Sequence, residues 1–241
     1  MRLSPSSNGL HRHPLTRYIL PLRVRLKPDI QTRHPAAKAD ALFFLDTLEQ
    51  LIPVLPPETI RGILFIARHY LQPLSDPSLR AHLESAHSVF LAILARGDIL
   101  QDHILPYLEQ VYNAFPQALT PRQVRLAFST IVKLSSPDQV TVILTRLLQR
   151  AKNAQTTPIT GGTRDDEQLT YFFAFVDCLP WIEIEAIEFW LDQLFFTATV
   201  LEGRRRSTLQ QHIWECISGV MGGEAGMKAV EWWVNKSDPK M

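Results

Sequence analysis

Residues 119–151 read LTPRQVRLAFSTIVKLSSPDQVTVILTRLLQRA. Thr120 followed by Pro121 is an N-cap followed by a residue whose φ is already set for a helix. Val124, Ala127, Phe128 and Ile131 then recur at the i, i+3, i+4, i+7 spacing of one helix face. Ser136-Pro137-Asp138 repeats that opening, and Val140, Ile143, Leu144, Leu147, Leu148 and Ala151 repeat the stripe. Two amphipathic helices joined by a short Pro-bearing turn form a hairpin. Its apolar side cannot be buried by the hairpin alone, so neighbours must stack on it.

The same grammar extends outward. Ile60, Ile63, Leu64, Ala67, Tyr70 and Leu71 form one stripe; Leu79, Leu83, Ala86, Phe90, Ile93 and Leu94 form another. Leu169, Phe172, Phe173, Val176 and Leu179 form a third. Pro57 stands at a helix start before Glu58, and Ser75-Asp76-Pro77-Ser78 breaks the chain before Leu79. Period-two alternation is not sustained, which argues against strands. Helices are predicted near 40–55, 57–72, 78–96, 99–115, 121–134, 137–152, 166–179, 182–201, 205–220 and 224–235. The break at 153–164 reads as a mobile surface loop.

A degenerate repeat runs through these helices. Leu55-Pro56-Pro57-Glu58-Thr59-Ile60-Arg61 resembles Leu119-Thr120-Pro121-Arg122-Gln123-Val124-Arg125, and Leu179-Pro180-Trp181-Ile182-Glu183-Ile184 follows more loosely. The predicted fold is all-α: an irregular α-solenoid of stacked helical hairpins, HEAT- or ARM-like. An irregular helical bundle is the alternative.

Composition agrees. Of 241 residues 46% are hydrophobic and 20% charged, enough to bury a core. Two cysteines, Cys178 and Cys216, exclude a disulfide scaffold and a Cys-based zinc fold. No apolar run approaches the roughly 18–20 residues of a membrane span, so the chain is expected to be soluble and peripheral to a membrane at most.

Charge divides the chain. Residues 1–35 carry seven Arg or Lys against the single acid Asp29, a net of +6, and prolines at 5, 14, 21, 28 and 35. The remaining residues carry 18 basic and 23 acidic groups, a net of −5. The domain reading is therefore a disordered basic tail over 1–35, a helical repeat domain over 36–235 and a short C-terminal tail over 236–241. Acid-poor, Arg-rich composition also suits a mitochondrial transit peptide, but the prolines spoil the helix such a peptide needs. Tyr18 is the tail's one aromatic residue, so base stacking and nucleic-acid binding are not expected.

Candidate chemistry is sparse. His82 and His87 flank Glu84 but are five residues apart, about 140° around a helix, which does not suit a shared metal. Gly219-Val220-Met221-Gly222-Gly223-Glu224-Ala225-Gly226 continues a helical stripe and reads as a helix end and turn. Asp165, Asp166 and Glu167 sit at a helix start, where the dipole favours acids. No cofactor, metal site or catalytic residue is expected. Candidate partner-binding residues are Arg204, Arg205 and Arg206, with Trp232 and Trp233 of the late aromatic cluster.

One resemblance goes further. Ser85 to Leu94, Leu105-Pro106-Tyr107-Leu108 through Phe115-Pro116 to Pro121, and Phe128-Ser129-Thr130-Ile131-Val132 are similar to the C-terminal part of the fungal peroxin-8 family. Cys178-Leu179-Pro180, Phe189-Trp190-Leu191 and Glu231-Trp232-Trp233 extend the likeness. The resemblance implies a non-enzymatic helical protein on the matrix side of the peroxisomal membrane. It implies an adaptor that links import-receptor docking and RING complexes during matrix protein import and meets the cargo receptor. It also implies a C-terminal import tripeptide; of Pro239, Lys240 and Met241 the last two fit and Pro239 departs. A helical-repeat scaffold outside peroxisomes, cytoplasmic, mitochondrial or nuclear, is the alternative.

Overall fold

The computed structural model describes residues 35–71, 77–96, 103–154 and 167–237. Nearly all of the basic tail, most of the 153–164 loop, Asp165, Asp166 and the Pro239-Lys240-Met241 ending lie outside the described residues.

Ten α-helices occur among the described residues: α1 (Pro35–Leu51), α2 (Pro57–Tyr70), α3 (Arg80–Ala95), α4 (Ile104–Ala114), α5 (Pro121–Leu134), α6 (Pro137–Asn153), α7 (Glu167–Cys178), α8 (Ile187–Thr197), α9 (Gly203–Glu215) and α10 (Gly223–Ser237). The described residues contain no strand. The quoted hairpin is α5–α6, and its openings are fuller than the sequence reading proposed. Gln123 closes a capping box: its N–H donates to Thr120 Oγ1 at 3.3 Å while the Thr120 N–H donates to Gln123 Oε1 at 2.7 Å. At α6 the Ser136 N–H donates to Gln139 Oε1 at 3.1 Å.

Three boundaries differ from expectation. The first helix starts at Pro35 rather than near 40 and stops at Leu51, where Pro53 tightens the chain into the 3-10 turn Ile52–Val54. Arg96 locks that turn by donating to the carbonyls of Ile52 and Leu55. The single helix expected over 182–201 is instead a 3-10 turn (Ile184–Ala186), α8 and a second 3-10 turn (Ala198–Val200). Beyond α9 the backbone widens into one π turn, Cys216–Val220.

Helices pack against the next but one in sequence. One row runs α1, α3, α5, α7, α9; α6, α8 and α10 form part of a second; α2–α3, α4–α5 and α6–α7 join the rows. This alternation is that of an α-solenoid. Helix α7 is its centre, packed on α5, α6 and α9. Ten of its twelve residues are buried, which explains Phe172-Phe173: with neighbours on several sides, adjacent residues both find a core. Phe175 is fully buried there, so Phe175→Ala should cost about 3–5 kcal/mol, read as a lower urea midpoint in equilibrium unfolding.

Tyr107 fastens α3 to α4. Its ring stacks on Phe90 with centroids 4.2 Å apart and planes 10° from parallel. Its hydroxyl lies 3.0 Å from His87 Nδ1. Burial pushes the Tyr107 hydroxyl far above its ordinary range, so it keeps its proton and donates to that nitrogen. Burial lowers the His87 pKa to about 4. The unfolded chain therefore binds the proton more readily than the folded one. The resulting stability is fully present above about pH 6.5 and is lost as pH falls toward about 4. Urea titrations at stepped pH should show this loss, on the order of 3 kcal/mol, and His87→Phe should flatten it.

Candidate interaction surface

The residues suspected of metal chemistry serve packing. His82 is buried, with Nε2 donating to the Lys38 carbonyl at 2.7 Å, and His87 meets Tyr107. Among the described residues no group of three His, Cys, Asp or Glu is placed to hold a metal ion. The glycine cluster supplies the π turn and the start of α10 at Gly223, whose φ of +61° suits glycine. A Cβ at Gly226 would stand 2.6 Å from the Met221 carbonyl oxygen, so glycine there permits the close turn. Glu167 lies in the first turn of α7; burial raises its pKa against the opposing pull of Arg150.

Where α8, α9 and α10 meet, aromatic rings form a ladder. Phe195 of α8 meets Trp232 edge-on at 6.0 Å, Trp232 adjoins Trp233 at 6.4 Å, and Trp233 reaches Trp214 of α9 at 6.0 Å. The inner rung is fixed: Trp232 is 7% exposed and its Nε1–H donates to Asp192 Oδ1 at 2.9 Å. Lys236 Nζ pairs with the same carboxylate at 3.1 Å. The ends face outward, with Phe195 38% and Trp214 41% exposed. Beside the ladder a groove of about 90 Å³ is lined by Phe195, Ala198, Arg206, Leu209, Gln210 and Ile213. On the outer side of α8, Phe189 and Phe196 stand seven residues apart on one stripe, 56% and 75% exposed.

The three arginines have different fates. Arg204 is exposed at the start of α9. Arg205 donates to Gln168 Oε1 of α7 at 2.6 Å. Arg206 donates to the carbonyls of Leu201 at 2.9 Å and Thr199 at 2.8 Å, and so edges the groove. Of the two tryptophans, Trp232 is a packing residue and Trp233 is half-buried. Phe189, Phe195, Phe196 and Trp214 supply the exposed rings of this surface, while Phe43, Phe65 and Trp181 are exposed elsewhere. The sequence carried a signal for two of them, because Phe195-Phe196 cannot both turn inward on an outer helix.

Beneath this surface Asp177 ties three helices together. Arg125 of α5 grips it as a fork, Nε to Oδ2 at 2.6 Å and Nη2 to Oδ1 at 3.0 Å, while His212 Nε2 of α9 donates to Oδ1 at 3.0 Å. Burial alone would raise the Asp177 carboxyl; the hydrogen bonds from His212 and Arg125 outweigh it and hold it below the usual carboxylate range. That stability is present above the unfolded value of about 4 and is lost as pH falls through the lower folded value. Asp177→Asn should therefore cost about 1–3 kcal/mol at pH 7. The gap from the parent in urea unfolding should close as pH drops toward 3.

Folded in this way the chain is a helical-repeat protein of the α-solenoid class, with exposed apolar surface concentrated on its last helices. It belongs to the peroxin-8 family: residues 15–95 match the PEX8 central TPR-like domain and residues 98–239 the PEX8 C-terminal domain. The first match reaches back into the stretch read as a basic tail. Peroxisomal biogenesis factor 8 of Komagataella phaffii is 20% identical over 263 residues, covering 82% of this chain and 37% of the relative. The protein of that name from Komagataella pastoris gives the same figures. The chain thus spans little more than a third of the curated relatives it matches. No solved structure matches.

Proposed function

We propose that this chain is a non-enzymatic adaptor in peroxisome biogenesis, linking import-receptor docking and RING complexes on the matrix side of the peroxisomal membrane during matrix protein import. The observation that carries the reading is the match to both peroxin-8 domains along nearly the whole chain, with relatives named peroxisomal biogenesis factor 8. The fold supports it. A solenoid with outward-facing Phe189, Phe196 and Trp214 offers the broad surface that protein partners use. No helix among the described residues is long and apolar enough to cross a membrane, which accords with a peripheral position. We take the α8–α10 surface as the contact face, with Arg204, Arg206 and Trp233 beside the exposed rings and Trp232 supporting them from beneath.

Affinity purification of the tagged chain from its native host should recover docking and RING components together with the cargo receptor. Phe189→Ser with Phe196→Ser removes exposed rings without opening a cavity, so recovery should fall about tenfold while the thermal midpoint stays unchanged. A fluorescent fusion with a free C-terminus should label peroxisomes, and a residue added after Met241 tests whether Pro239, Lys240 and Met241 contribute. Undiminished recovery by the double variant would move the contact face elsewhere. A fusion residing in mitochondria or nucleus would overturn the peroxisomal reading.

A further inference from the structure

Helix α1 is the outermost described helix of its row. It packs on α3 through Ala41, Phe44, Leu45 and Leu48. Its opposite side carries Ala39, Phe43 and Gln50, and Phe43 is 73% exposed, second only to Phe196 among the described large apolar residues. The outer face of a terminal solenoid helix is ordinarily polar, so a bare ring there calls for a cover. Acids flank the ring: Asp40 and Asp46 stand three residues to either side of it, both exposed. Asp46 accepts from the Ser85 hydroxyl through one oxygen, Oδ1, at 2.6 Å. The helix holds Asp40, Asp46 and Glu49 against Lys38, a net of −2, and the Lys38 ammonium is turned to Ser78 Oγ at 3.2 Å. On the neighbouring α3, Arg80 pairs with Glu84 and adds no net charge.

The sequence just before α1 has the complementary character. Of residues 1–14 only Met1, Leu3 and Leu10 are apolar, whereas eight of the twenty residues 15–34 are, among them Tyr18, Ile19, Leu20 and Leu22. The change falls at residue 15, where the match to the central TPR-like domain also begins. Residues 15–34 carry Arg17, Arg23, Arg25, Lys27 and Arg33 against Asp29, a net of +4. We infer that residues 15–34 fold back over the outer side of α1, their apolar side chains covering Phe43 and Arg17, Arg23 and Arg25 meeting Asp40 and Asp46. The reach suffices. Ten residues lead from Arg25 to Pro35, up to about 33 Å of chain, against about 25 Å for the whole of α1. A second copy is a poorer occupant, because a twofold contact through this face would set Asp40 and Asp46 against their own equivalents. The stretch read as part of a basic tail is on this inference a cap of the solenoid. The inference uses the span of the family match and does not rest on the peroxisomal reading.

In the full chain, p-benzoylphenylalanine in place of Phe43 puts a photocrosslinker at the centre of this face. After irradiation and proteolysis, mass spectrometry should find the adducts within single chains and on peptides from residues 15–34. Reversing Arg17, Arg23 and Arg25 to Glu should cut that yield about fivefold, as expected for the loss of a few exposed ion pairs. Adding Asp40→Lys with Asp46→Lys should restore it, which mere tethering of a nearby segment would not do. Adducts joining two copies, adducts confined to other stretches, or a yield indifferent to the charge reversal would each overturn the proposal. The arginine reversal leaves every described helix unaltered, so it can be read even if the aspartate variants fold poorly.

Discussion

Helix α7 is the constraint on which the rest depends. A helix buried on nearly every side cannot be stable alone; it exists because α5, α6 and α9 surround it. Its sequence, Leu169 through Cys178, has little amphipathic contrast and gives no preferred direction to its neighbours. Direction comes from Asp177, the one acid of its second half. Its grip on Arg125 and His212 selects the rotation at which α5 and α9 can close on the same core. Apolar burial supplies the driving force, and the partly buried ion cluster narrows the choice of packing.

The two family segments adjoin between residues 95 and 98, yet the core does not divide there. Phe90 on one side stacks on Tyr107 on the other, His87 shares a hydrogen bond with that tyrosine, and α3 packs directly on α5. Arg68 of α2 also reaches His103 Nδ1 at 2.9 Å. Contacts of this kind pack the described helices on either side of the junction into one core. Strain applied to one segment is passed to the other through packed rings.

Much of this architecture was legible in the sequence because a solenoid is built from local signals. Thr120-Pro121 and Ser136-Pro137 name their helix starts, and the stripe from Val140 to Ala151 names the face that packs. What escaped notice depends on three-dimensional partners. Trp232 and Trp233 are alike in sequence, but only Asp192, forty residues upstream, makes Trp232 the inner ring. A groove between α4 and α6 joins Glu109 and Tyr112 to Arg146 and Arg150 across more than thirty residues, and no local pattern links them. The split of the expected 182–201 helix lies at the 3-10 turns that bracket α8, and no Pro or Gly within 182–201 marks either turn.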